Sequence, residues 1–350
     1  MTAGAIRELA RECGFELAGL APAEPGPEGT PERAWYRQWV EAGLAGEMRY
    51  LTDHRAAARG DPRNLLASVR SVVCVGKLYN TPWPYSTQFD TAGRAWISRY
   101  AWGDDYHHVV RRGLKRLDAL LRERAGAEFE SKICVDTAPL LERSYARMAG
   151  LGWIGKNTCL INQAGGSWFF LGELLISLAI EPGPEDTPPP DRCGTCTRCI
   201  DACPTAAIVP GGLGFTVDSR RCISYFTIEL RGAMPAEHRG AAGGHVFGCD
   251  ICQDVCPWNR RAPVTGDPAL KPREFAPPLE KLAAITEDEF RSMFAGTPVT
   301  RARYAGFLRN VAVAMGNRKL EKFRAPLEKL AASADTVVAE HARWGLKQLR

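Results

Sequence analysis

A chain of 350 residues, 45% hydrophobic and 24% charged, has the composition of a soluble globular protein and the length for two or three domains. Its longest apolar stretch, Trp168 to Ile180, is interrupted by Gly172, Glu173 and Ser177 and is too short to span a bilayer. The net charge of +5 is uneven: residues 298–350 carry eleven Lys/Arg against four Asp/Glu, or +7, which leaves −2 for the rest. A basic terminal segment on a near-neutral body fits an anionic partner, with a solvated helix face as the plainer alternative.

Residues Ala3 to Cys13 read as a helix and Phe15 to Leu20 as a strand. The first twenty residues lack the basic start and apolar run of a secretion signal, so a cytoplasmic location is expected. A Pro/Gly/Glu linker from Pro22 to Pro31 precedes a helix over Glu32 to Leu44, and Ser71 to Leu78 reads as a buried strand. After an aromatic, proline-containing loop, a helix runs to Arg124 with Val109, Leu114, Leu117, Leu120 and Leu121 on its buried side. Glu128 to Val135 reads as a strand ending at Asp136, and Pro139 can open the next helix. A polar residue where a strand gives way to a helix is a frequent place for a site, and an equally frequent helix cap.

Gly150 to Asn157 is a glycine-rich turn that does not match a phosphate-binding loop. Thr158 to Ile161 and Trp168 to Ile180 are expected to form a hairpin across Gln163–Gly166, and the proline- and acid-rich Glu181 to Pro190 is a domain linker. Further on, Ala206–Val209 and Leu213–Val217 suit a small hairpin, and Asp218 can cap a helix through Cys222 to Leu230. The tail is all helical: Thr286-x-x-Glu289 is a capping box, and helices are expected over 299–316, 320–332 and 335–349.

Eight of the twelve cysteines fall between Cys193 and Cys256. The first run, Cys193-x2-Cys196-x2-Cys199-x3-Cys203-Pro204, has the bacterial ferredoxin spacing, in which three thiolates hold one [4Fe-4S] cube and the cysteine before proline reaches a second. The second run, Cys249-x2-Cys252-x3-Cys256-Pro257, lacks a first member, and the lone Cys222 replaces it. Cys193, Cys196, Cys199 and Cys256 are thus assigned to one cluster, and Cys222, Cys249, Cys252 and Cys203 to the other. Paired zinc sites fit three cysteines in succession at C-x2-C-x2-C poorly, and disulfides are not expected in this compartment. Cys13, Cys74, Cys134 and Cys159 read as ordinary buried thiols.

Several motifs resemble those of the epoxyqueuosine reductase family: Ser98-Arg-Tyr-Ala-Trp-Gly-x-Asp-Tyr-His107, Val135-Asp-Thr-Ala-Pro139, Gly152-Trp-Ile-Gly-Lys-Asn157, Ser167-Trp-Phe-Phe-Leu-Gly-Glu173, both cysteine runs, Ile223-Ser-Tyr-Phe-Thr-Ile-Glu229 and Phe247-Gly-Cys-Asp-Ile-Cys252. The resemblance implies an α+β fold with three parts: a nitroreductase-like cobalamin-binding domain over 1–182, a ferredoxin-like two-cluster domain over 183–262, and a helical-repeat, HEAT-like tail over 263–350. It implies reduction of an epoxide on the tRNA wobble base to an alkene, with electrons passing through the clusters to cobalamin. Asp136 takes the place of the family's proton donor, for which a sheltered acid of raised pKa is expected.

The signature that would supply a histidine to cobalt is missing, because Val110 stands where Asp105-x-His107 would need a following glycine. His107 and His108 are then helix-start residues or corrin contacts. Arg59, Arg99, Tyr100, Lys156, Asn157, Ser224 and Tyr225 are candidate corrin or RNA contacts, and Arg301, Arg303, Arg309 and Lys319 candidate tRNA contacts. The expected partners are tRNA and an unidentified electron donor, acting on a monomer. The rival functions are a reductive dehalogenase, which has no use for a basic tail, and an electron-transfer module, which leaves about 190 residues without a role.

Overall fold

The computed structural model describes residues 1–24, 31–89, 92–212 and 214–349. Residues 25–30 of the expected linker, Leu213 of the small hairpin and Arg350 of the tail lie outside the described residues.

The front half is built on a four-stranded antiparallel sheet. Its strands are β1 (Leu17–Pro22), β2 (Ser71–Leu78), β4 (Ser131–Cys134) and β7 (Phe169–Ile176), in the order β1-β2-β7-β4. Every residue of β2 is buried because helices cover both faces of the sheet. Val73, Val75, Leu174 and Ile176 point to helices Ala3–Glu12 and Tyr106–Ala125, while Val72, Cys74 and Leu175 point to helix Glu142–Met148. That double burial explains why β2 reads as a continuous apolar run instead of an alternating one.

The hairpin expected across Gln163–Gly166 does not form as read. The chain does turn there, with Asn162 and Gly166 bonded to each other, but Leu160–Ile161 (β6) pairs with Trp153–Ile154 (β5), and β7 goes to the centre of the main sheet. An apolar strand with both faces to bury is better placed between β2 and β4 than on a two-stranded edge. Helix Glu142–Met148 starts three residues after Pro139, and Asp218 caps only the turn Ser219–Arg221, by accepting from the Arg220 N–H. The helix beyond, Ile223–Ile228, begins after Cys222.

Two short strands carry no sequence periodicity and were not expected: β3 (Trp96–Ile97) pairs in parallel with β10 (His245–Phe247). Between them in the chain lies the small hairpin of β8 (Ile208–Gly211) and β9 (Gly214–Val217). The β3–β10 pair brings the cysteine region against the front half, and one hydrophobic cluster joins Ala95, Trp96, Ile97, Ala101 and Trp102 to the tail residues Leu279, Phe307, Val311 and Phe323.

In the tail, helices Leu279–Ala284 and Glu287–Met293 precede Tyr304–Arg318, Arg324–Ala331 and Thr336–Gln348, and the capping box at Thr286 and Glu289 is formed. The helix expected from residue 299 starts instead as a 3-10 turn, Pro298–Ala302, broken at Arg303 by its φ of 58°. Residues 307–316 of helix Tyr304–Arg318 are all buried, including Arg309 at 1% exposure. Its guanidinium donates to the carbonyls of Phe226, Leu230 and Gly232 and to Asn310 Oδ1, which removes Arg309 from the candidate RNA contacts. Replacing Arg309 by Met should strand those carbonyls and cost about 2–5 kcal/mol, read as a lower urea midpoint in circular dichroism.

Candidate active site and cluster ligands

The cysteines sort into two groups in space. Cys193, Cys196, Cys199 and Cys256 line one cavity together with Lys156, Asn157 and Trp258. Burial pushes the Cys199 thiol up to about 11, and the neighbouring thiols of Cys256, Cys193 and Cys196 add to it. Burial does the same to Cys256, which senses Cys159, Cys193 and Cys196. In the other group, burial and then Cys222 push Cys249 well above the thiol range, with Cys203 contributing, and Cys203 also acts on Cys222. Cys252 meets Cys159 first, then Cys249 and Cys222. Thus the last cysteine of each run faces the other run's group. Among the described residues no three His, Cys, Asp or Glu side chains converge as a single metal ion would require.

The glycine-rich turn clamps both cysteine loops. Lys156 Nζ donates to the carbonyls of Gly194 (2.7 Å) and Cys196 (3.0 Å), and Asn157 Nδ2 to that of Cys252 (3.3 Å). Their side chains, expected as corrin contacts, are engaged there. Three other expected contacts are buried against the protein's own groups. Arg99, at 1% exposure, donates to the carbonyls of Thr81, Trp83 and Pro84 and lies on the rings of Tyr85, Trp102 and Trp168. Tyr225 is buried, with its hydroxyl accepting from the Glu47 N–H at 2.9 Å. Arg59 is buried against the carbonyls of Leu140 and Tyr50. Ser224 is half-buried with its hydroxyl against Cys222, and Tyr100 packs between Tyr106 and Phe247.

Asp136 follows β4 in a left-handed conformation, φ 52°. Its Oδ2 accepts from the Tyr106 hydroxyl at 2.9 Å, lies 3.2 Å from His107 Nε2 and 3.8 Å from Arg301 Nη1. Arg301 also pairs with Glu229 at 2.8 Å and sits over the Tyr50 ring. The other imidazole nitrogen, His107 Nδ1, is 2.7 Å from Asp105, which caps helix Tyr106–Ala125. With Tyr50, Tyr100 and Tyr106 around it, Asp136 sits in an aromatic-walled recess, its side chain 43% accessible.

This geometry overturns the expected protonation. Burial alone would raise the Asp136 pKa, but bonds from His107 and Tyr106 and the charges of His107 and Arg301 hold it below the usual carboxylate value. Burial works against the imidazolium, yet the bonds to Asp105 and Asp136 outweigh it and lift His107 to about 9. At neutral pH the proton therefore resides on His107 and Asp136 is an anion. Sequence reasoning missed Tyr106 and gave His107 no part in proton transfer, although both adjoin the capping Asp105. Arg301, expected on the RNA surface, comes to Asp136 from the tail. Of that set, Arg303 and Lys319 are exposed.

Two thiol groups in ferredoxin order beside an acid recess define an iron–sulfur oxidoreductase. Residues 192–259 match the family described as 4Fe-4S double cluster binding domain, and residues 59–137 match Epoxyqueuosine reductase QueG, DUF1730. The epoxyqueuosine reductase of Xanthomonas campestris pv. campestris is 42% identical, covering 99% of this chain and 96% of that one, and that of Escherichia coli K12 is 36% identical over 98% and 88%. A crystal structure of epoxyqueuosine reductase with an epoxyqueuosine-modified tRNA-Tyr stem loop superposes with TM-score 0.87 at 27% identity, over 99% of this chain and 89% of that one. The Bacillus subtilis enzyme, solved with its catalytic aspartate loop swung out of the active site, gives 0.81 at 25% identity, over 99% and 98%. The chain belongs to the epoxyqueuosine reductase family, and its cysteine region is a double [4Fe-4S] domain. No helix among the described residues is long and apolar enough to cross a membrane.

His107 gives a pH test. Its folded pKa of about 9 exceeds the ordinary 6.5, so its contribution to stability is complete below pH 6.5 and is lost as pH rises through 9. The loss amounts to about 3 kcal/mol at most. Thermal unfolding across that window should show a fall in the parent that His107→Asn removes.

Proposed function

We propose that this chain reduces the epoxide of epoxyqueuosine at the wobble position of tRNA, with Asp136 as the group that protonates the departing oxygen. The observation that carries the reading is the continuity from cysteines to acid. Helix Ile223–Ile228 starts next to Cys222, and Glu229 at its end pairs with Arg301, which reaches Asp136. Six residues of helix cover about 9 Å, a short path from cluster ligand to recess.

The recess suits a corrin in chemistry. Tyr50, Tyr100 and Tyr106 line it, and both ring nitrogens of His107 are already held by Asp105 and Asp136, so that imidazole is not free to reach cobalt. Tyr100 and Ser224 are the residues of the original set that would border it, and bound cobalamin supplies a nucleophilic centre that can collect single electrons delivered by two clusters.

The chain's own residues manage the proton. His107 Nε2 holds it at rest, the 3.2 Å contact passes it to Asp136 Oδ2 as substrate excludes water from the recess, and Tyr106 fixes the carboxyl's direction. The division into a nitroreductase-like cobalamin part over 1–182, a ferredoxin-like part over 183–262 and a HEAT-like tail over 263–350 belongs to this reading. The tail would give Arg303 and Lys319 to tRNA phosphates and Arg301 to the recess.

The test is Asp136→Asn. General acid catalysis commonly contributes about 10²–10⁴-fold, so single-turnover reduction should fall by that order with cluster content unchanged. Near-parent turnover, as a mere cap would give, eliminates Asp136 as the acid. The crossed cysteine grouping has its own check. Cys256→Ser should alter the electron paramagnetic resonance of the cluster held by Cys193, Cys196 and Cys199 and spare the other. Selective damage to the cluster of Cys249 and Cys252 would reverse the assignment.

A further inference from the structure

A buried carboxyl, that of Glu173, stands behind Asp136 next to the half-buried Glu142. Glu173 lies in β7 directly between Cys74 of β2 and Cys134 of β4, with no solvent exposure. Neither of its carboxyl oxygens receives an N–H or hydroxyl hydrogen from any described residue. What meets it is the carboxyl of Glu142, the first residue of helix Glu142–Met148. Two ionised carboxylates offer each other only acceptors and like charge, so such a contact persists in a core only with a proton between the two groups.

The surroundings favour that proton. Burial and then the charge of Glu142 push Glu173 well above the carboxylate range, and burial and then Asp136 lift Glu142 to about 7. The other titratable groups facing the pair are Arg59, which acts on Glu142 in the opposite sense, and the thiols of Cys74 and Cys134, themselves raised by burial. A core that leaves the Glu173 carboxyl without a donor must gain something from its placement. That gain is visible at the other side of Glu142, whose Oε1 accepts the backbone N–H of Asp136 at 2.5 Å. A φ of 52° is uncommon outside glycine, and although aspartate tolerates it better than most residues, a bond to its backbone N–H favours that conformation over the alternatives.

We propose that Glu142, held in place by a proton shared with Glu173, is the latch that keeps the Asp136 turn left-handed and so aims its carboxylate at Tyr106 and His107. Glu142 is then a positioning residue and Glu173 its support. The proposal rests on the reading of Asp136 as the acid, but its test separates the two.

Three variants of the cluster-loaded protein decide it. Glu142→Ala removes the acceptor, so hydrogen exchange in the segment holding the Asp136 amide should accelerate at least tenfold, and single-turnover reduction of epoxyqueuosine tRNA should slow roughly ten- to a hundredfold. Glu142→Gln keeps an acceptor oxygen and should restore the protection. Both Glu142→Gln and Glu173→Gln should abolish the infrared carbonyl band of a protonated, desolvated carboxylic acid at neutral pH. Unchanged exchange in Glu142→Ala, or survival of that band in both glutamine variants, overturns the latch. Should Glu142→Ala not fold, the infrared comparison of the other two still decides. Normal turnover of Asp136→Asn removes the acid reading while leaving the exchange and infrared results to stand or fall by themselves.

Discussion

The carboxylate of Asp250 is the joint on which the arrangement depends. It lies between Cys249 and Cys252, is almost wholly buried, and accepts from the Arg99 N–H at 2.7 Å, from the Trp96 indole at 3.2 Å and from the Ser98 hydroxyl. A buried anion needs such donors, since an unpaired one would be too costly to keep. The same segment donates the Ser98 N–H to the Phe247 carbonyl and pairs β3 with β10. One carboxylate therefore sets the distance between the second cysteine run and the stretch from Arg99 to His107 that forms one wall of the acid recess.

Around that joint, charge is distributed with little free cation to spare. Arg99 and Arg309 are spent on backbone carbonyls, each tying a loop to a helix. Arg301 is shared between Glu229 and Asp136, so the tail's charge reaches into the recess as well as toward solvent. The consequence for chemistry is that Asp136 begins as an anion, and under the proposed reading it takes its proton from His107. A carboxyl kept protonated by apolar surroundings was the simpler expectation, and it fails because two hydrogen-bond partners and a nearby guanidinium converge on one oxygen.

Much of the local structure was legible from the residues. The cysteine spacing marked a double [4Fe-4S] region, because ligand spacing is a local constraint written in the chain. The strand Ser71–Leu78 and the capping box at Thr286 were read as they stand, since each follows from side-chain patterns within a few residues. By contrast, adjacency suggests a hairpin between Thr158–Ile161 and Trp168–Ile180, and the competing demand for burial on both faces is not visible locally.

By itself the sequence determined the ferredoxin spacing of the cysteine runs, the buried strand Ser71–Leu78 and the position of Asp136 just past a strand, all of them set by short-range spacing and periodicity. Only the tertiary structure decided that Arg309 and Arg99 are internal, that Arg301 meets Asp136 across 165 residues of chain, and that Glu142 and Glu173 face each other behind it. The reason is physical: an arginine facing carbonyls and one facing water have the same local sequence signature, and a carboxyl's proton affinity is set by neighbours brought from distant parts of the chain.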